Sequence, residues 1–126
     1  MGEVRKRARG RCEYCGFPES EAAISFEVEH VIPRKHEGET TAENLALACF
    51  FCNRYKGPNL AGVDPSSGEI VPLFNPRTDR WAGHFEWNGP IIVSATPVGR
   101  ATISVLRMNL SNAIDVRREL MAAGLW

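Results

Sequence analysis

Four cysteines stand in two Cys-x-x-Cys pairs, Cys12/Cys15 and Cys49/Cys52, with Glu29-His30 between them and Asn53 directly after the second. Two such turns can close a tetrahedron of thiolates around one structural zinc ion, each turn supplying two sulfurs. The remaining groups are of another kind. Glu29 offers a carboxylate and Asn53 an amide oxygen, hard donors of the type that Mg²⁺ or Mn²⁺ takes. His30 offers the side chain suited to act as a base near neutral pH. One short segment therefore holds the parts for a closed zinc site and for a second, catalytic site with a hard cation. Disulfides and a thioredoxin-type redox pair are the other readings of the cysteines. The redox reading needs a βαβ context that is absent here, and in a reducing compartment paired cysteines read first as metal ligands. Zinc uses all four thiols and leaves none as a nucleophile.

These residues must be held by local elements. The basic stretch from Val4 to Gly10 suits a short N-terminal helix leading into the first cysteine turn, whose Gly16 permits a positive φ. Phe26 to Ile32 is apolar and β-branched and ends at Pro33, as a strand does. Alternation along it sends neighbouring Glu29 and His30 to opposite faces. A polar loop over 34–42 leads to a short second strand or extended segment from Asn44 to Ala48. Cys52 to Lys56 opens a helix that Gly57-Pro58 stops. Beyond residue 58, Asp64-Pro65-Ser66-Ser67-Gly68 and Asn88-Gly89 are turn signals between short strands. A further strand is expected from Ala101 to Leu106, then a helix from about Ser111 to Ala123, ended by Gly124.

The segment Phe26-Glu-Val-Glu-His-Val-Ile-Pro-Arg34, with Gly38 to Gly57 containing Glu43-Asn44-Leu45 and Cys49-Phe-Phe-Cys-Asn-Arg-Tyr-Lys-Gly57, resembles the HNH endonuclease family. The resemblance covers about Arg11 to Gly57. It implies a β-hairpin packed on a helix around one divalent ion, braced by a four-cysteine zinc. By that resemblance His30 is the base that deprotonates the attacking water, and Glu29 and Asn53 hold the catalytic Mg²⁺ or Mn²⁺. Asn44 holds the loop and orients the histidine. Glu29 stands where Asp is more common, and Asn53 makes this an H-N-N variant. The fold expected is α+β: a ββα-metal core with its zinc site over 1–58, then a β-meander and a C-terminal helix over 59–126, together one domain.

The chain has 126 residues, with 15 basic and 15 acidic side chains. This balance gives no global attraction to nucleic acid or membrane, so any polyanion contact must be local. The candidates are Arg5, Arg7, Arg9, Arg34, Lys35, Arg54 and Lys56, which could converge on one face to meet phosphates. No run reaches transmembrane length and no signal core opens the chain, so the expected compartment is the cytoplasm. The function expected is a metal-dependent endonuclease, acting as monomer or homodimer on DNA, with RNA not excluded. A monomer with one metal site should nick. The alternative is a zinc-stabilised nucleic-acid-binding module without catalysis.

Overall fold

A computed structural model describes residues 2–126. Helix α1 (Gly2–Ala8) precedes the first cysteine turn, and strands β1 (Glu27–His30) and β2 (Leu45–Ala48) form an antiparallel hairpin. Its register sets Glu29 opposite Ala46 and His30 opposite Leu45. Helix α2 (Phe50–Lys56) follows at once and packs on both strands, while α1 packs on β2. The first half is therefore the ββα unit that the motif spacing implied. The order continues with β3 (Ala61–Val63), β4 (Ile70–Pro72), α3 (Trp81–His84), β5 (Glu86–Asn88), β6 (Ile91–Val93), α4 (Pro97–Val105) and α5 (Ser111–Ala122).

The second half corrects two expectations within an α+β architecture. The strands form separate two-stranded hairpins, β3-β4 and β5-β6, and no meander joins them. The segment expected as a strand from Ala101 to Leu106 is instead helical: Ala101 to Val105 lie inside α4, and Leu106 is its C-cap. The cause lies upstream. Thr96 caps the helix by accepting from Gly99 N at 3.0 Å, and Pro97 at the first position presets a helical φ. Thr102 then satisfies two groups at once, donating to Val98 O at 2.7 Å and accepting from Phe74 N at 2.9 Å. Its β-branched neighbours Ile103 and Val105 pack against the core from a helix.

A continuous set of buried side chains draws on both halves, with Tyr14, Phe26 and Leu47 from the first and Phe85, Ile92 and Leu106 from the second. Burying an apolar side chain of this size contributes about 1.5–3 kcal/mol. All three tryptophans of the chain gather on the first cysteine turn. Trp81 Nε1 donates to Tyr14 O at 2.7 Å. Gly16 has φ +85°, and a Cβ there would lie 3.7 Å from both Trp87 and Trp126. No helix among the described residues is long and apolar enough to cross a membrane.

The β3-β4 hairpin is locked to α4 by an ion pair. Asp64 is fully buried and binds Arg100 through both oxygens, at 2.9 Å each, while also accepting from Ser66 N and Ser67 Oγ. The Arg100 hydrogen bonds hold its carboxyl well below the usual carboxylate range. A folded-state value below the unfolded one, about 3.9, gives stability that is complete above the unfolded value and lost as pH falls toward the folded one. We therefore expect wild type to exceed Asp64→Asn in thermal stability by a constant margin above about pH 5 and by a shrinking one below about pH 4. A margin independent of pH down to pH 2 would contradict this role.

Candidate metal centres and catalytic site

The four cysteine sulfurs lie within 4.8 Å of one another, and Cys15 and Cys49 are 3.8 Å apart. Zinc–thiolate bonds of about 2.3 Å in a tetrahedron require sulfur separations of about 3.8 Å, so the cluster has the dimensions of a zinc site. Each turn is shaped as a knuckle. Cys15 N donates to Cys12 Sγ at 3.5 Å, and Cys52 N donates to Cys49 Sγ at 3.4 Å. Cys49 is also the N-cap of α2. Hydrogen bonding from the Cys12 thiol, then from Cys15 and Cys52, drives the Cys49 thiol far down. The same contacts, with burial, push Cys15 and Cys52 up. Four sulfurs this close cannot all be anionic without a cation between them. Buried Arg117 lines one cavity with Cys15, Cys49 and Cys52; burial pushes its guanidinium down, and the three cysteines oppose that shift.

Glu13 sets the first knuckle beside the second. Its N donates to Leu47 O at 2.9 Å and its carboxylate accepts from Leu47 N at 2.8 Å, covering the outer edge of β2. Arg77 of the second half pairs with the same carboxylate. Glu13 fills a variable position of the first knuckle and Arg77 lies outside every motif, so the sequence carried no signal for either.

Glu29 and His30 take opposite faces of β1. Glu29 is 7% exposed, and its Oε2 lies 3.6 Å from Nζ of Lys56, which is itself 2% exposed. Lys56 also donates to Val31 O at 2.9 Å, so it ties α2 to the end of β1. Lys56 was expected on the nucleic-acid face. It is instead inside, because its ammonium finds a carboxylate and a carbonyl there. Burial pushes the Glu29 carboxyl up, while the Lys56 charge opposes that shift. Burial likewise pushes the Lys56 ammonium down. The Tyr14 hydroxyl is buried beside Glu29 without completing a hydrogen bond, and burial, then the Glu29 charge, push it well up.

Removing one member of a buried pair strands the other, at about 3–5 kcal/mol. Lys56→Met should lose stability of that order in urea melts, and Lys56→Met/Glu29→Gln should recover most of it. A double variant as unstable as the sum of its singles would show that the two do not act as a pair.

The two side chains expected to bind a hard divalent ion each carry an oxygen that no hydrogen bond within the described residues engages. Glu29 Oε1 is a buried oxygen without a hydrogen-bond partner. The Asn53 side chain, half-buried on α2, makes no hydrogen bond among the described residues. Both are oxygen donors of the class that Mg²⁺ and Mn²⁺ accept.

His30 is half-buried at the end of β1, and its Nε2 lies 2.8 Å from Thr40 Oγ1. Asn44 pins the loop that carries Thr40. It accepts from Ile32 N at 2.9 Å and donates to Ile32 O at 3.0 Å and to Glu39 O at 2.8 Å. The loop returns so tightly that a Cβ on Gly38 would lie 1.6 Å from Ile32 O. Asn44 thus contacts the loop backbone, and the side chain on the imidazole is Thr40, which no spacing rule singled out.

The basic candidates divide. Arg5 is held by Glu19 at 3.0 Å and by Phe26 O at 3.0 Å, and Arg7 donates to Leu45 O at 2.8 Å, next to His30 across the hairpin. Arg54 lies over the Phe50 ring at 5.9 Å. Arg9 and Lys35 are exposed, and Arg34 reaches Thr40 Oγ1 at 3.3 Å.

The family model for HNH endonuclease matches residues 12–59, the stretch that contains both knuckles, the hairpin and α2. No curated protein and no solved structure matches the chain.

Proposed function

We propose, from a segment 12–59 of the HNH endonuclease family, that this chain is a metal-dependent nuclease that hydrolyses phosphodiesters, with DNA as its substrate. The observation that carries the reading is the end of β1. There a half-buried imidazole is held by a side-chain hydrogen bond, one strand position from a buried carboxylate with a free oxygen. Glu29 and Asn53 would hold Mg²⁺ or Mn²⁺, which when bound supplies charge neutralisation at the scissile phosphate and the leaving oxygen. His30 takes a proton from water, the water oxygen attacks phosphorus in line as the P–O3′ bond breaks, and the departing 3′ oxygen takes a proton from solvent. Asn44 keeps the loop closed behind the imidazole. Arg34, Lys35 and Arg9, all exposed, would meet neighbouring phosphates. The family implies a 5′-phosphate and a 3′-hydroxyl as products, and one such site in a monomer cuts one strand.

The test is supercoiled plasmid incubated with zinc-loaded protein, with Mg²⁺ or Mn²⁺ added or omitted, beside His30→Ala. Omission is cleaner than a chelator, which would also attack the zinc. Metal-dependent nicking by wild type alone supports the reading. Intact plasmid with every metal, from a folded protein, overturns it. The second reading, a zinc-stabilised nucleic-acid-binding module, is favoured by one observation: Lys56 already supplies a positive partner for Glu29. It predicts retained DNA binding without cleavage.

A further inference from the structure

We propose that Thr40 is a positioning residue for His30, tethering Nε2 so that Nδ1 is the nitrogen that takes the proton; this rests on the nuclease reading. Neutral imidazole carries one proton, and the partner of each ring nitrogen decides where it sits. His30 Nε2 is 2.8 Å from Thr40 Oγ1, and Nδ1 has no hydrogen-bond partner among the described residues. A hydroxyl oxygen can accept twice and donate once. Arg34 Nη2, which can only donate, occupies one accepting position on Oγ1 at 3.3 Å. With that position taken, Oγ1 still has a second lone pair for Nε2–H, and this is the arrangement that leaves the Nδ1 lone pair free to act as base.

The argument strengthens as the proton moves. When Nδ1 takes a proton from water, both ring nitrogens become donors. Nε2–H then requires an acceptor, and Thr40 Oγ1 is the one in place. Had the Thr40 hydroxyl donated to Nε2 instead, the proton would sit on Nδ1 and no ring nitrogen would be free to act as base. The hydroxyl is held in position because the loop that carries it is closed by Asn44 on Ile32 and Glu39, with Gly38 at the crossing. The requirement on residue 40 is therefore an oxygen acceptor of hydroxyl length.

The experiment compares wild type, Thr40→Val and Thr40→Ser as full, zinc-loaded chains, by steady-state cleavage and by long-range ¹H–¹⁵N correlation of the histidine rings without substrate. Valine keeps the shape and removes the oxygen. Loss of a partner that orients a metal-ligating histidine typically costs ~10–100-fold, and the same scale is taken for a tether on a base histidine. We expect Thr40→Val to lower kcat by that factor with KM unchanged, and Thr40→Ser to restore it. The ring of His30 should be Nε2–H in wild type and serine, and a mixture of tautomers in valine. A wild-type ring protonated at Nδ1, or a tautomer balance unmoved by valine, overturns the proposal. A valine variant that cuts at the wild-type rate overturns it equally. If wild type cuts nothing, the nuclease reading has failed, and the ring spectra still decide whether Thr40 sets the tautomer.

Discussion

Stripping the zinc, or replacing Cys49 by Ser, should unfold the protein. Zinc bound by such sites contributes about 10–16 kcal/mol in small zinc-finger peptides at neutral pH. A domain of this size is stable by about 5–15 kcal/mol in total, so loss of the ion outweighs what the apolar core retains. The sulfurs come from two segments far apart in sequence, and the ion is what joins them. Without it the cluster confronts several thiols within 4.8 Å and a buried guanidinium whose counter-charge has gone. Cys49→Ser isolates the loss of the metal ligand, because serine can still cap α2 by accepting from Cys52 N. Circular dichroism melts with zinc content measured on the same samples check this. A stripped protein that melts cooperatively at the holoprotein temperature would refute it.

His30→Ala should lower single-turnover plasmid nicking by about 10²–10⁴-fold, the usual worth of a positioned general base. That corresponds to about 3–5 kcal/mol of transition-state stabilisation. Stability should change little, since His30 is half-buried and its side chain makes one hydrogen bond, to Thr40 at the surface. The contrast with Lys56→Met separates chemistry from scaffolding on one hairpin. One variant folds and does not cut, and the other loses stability first. A His30→Ala protein that nicks at the wild-type rate would remove the histidine from the mechanism.

The zinc knuckles, the hairpin and α2 were legible because each rests on short-range rules: the Cys-x-x-Cys turn, strand alternation and a glycine stop. The inward turn of Lys56 was not. A lysine on a short helix reads as surface, and only the three-dimensional meeting with Glu29 and Val31 O explains its burial. Arg5 and Arg7 misled in the same way, since a basic helix looks free until its partners Glu19, Phe26 O and Leu45 O are placed. In Ala101–Leu106 the β-branched residues outweighed the Thr96-Pro97 start signal, although the backbone followed the cap. Thr40 went unnoticed because a threonine in a polar loop has no spacing that marks it.

The tryptophans on the first knuckle give the molecule an optical property. Trp81, Trp87 and Trp126 are the only indoles, and all three rest on residues 14–16, within one turn of two zinc ligands. Trp81 and Trp87 belong to the second half and Trp126 ends the chain, so their emission is set by how that half sits on the metal core. Loss of the ion, or movement of the second half away from the metal core, is therefore expected to change the tryptophan emission, which can be followed without a label. His30 lies on a separate element, so events at its ring leave that signal as a clean baseline.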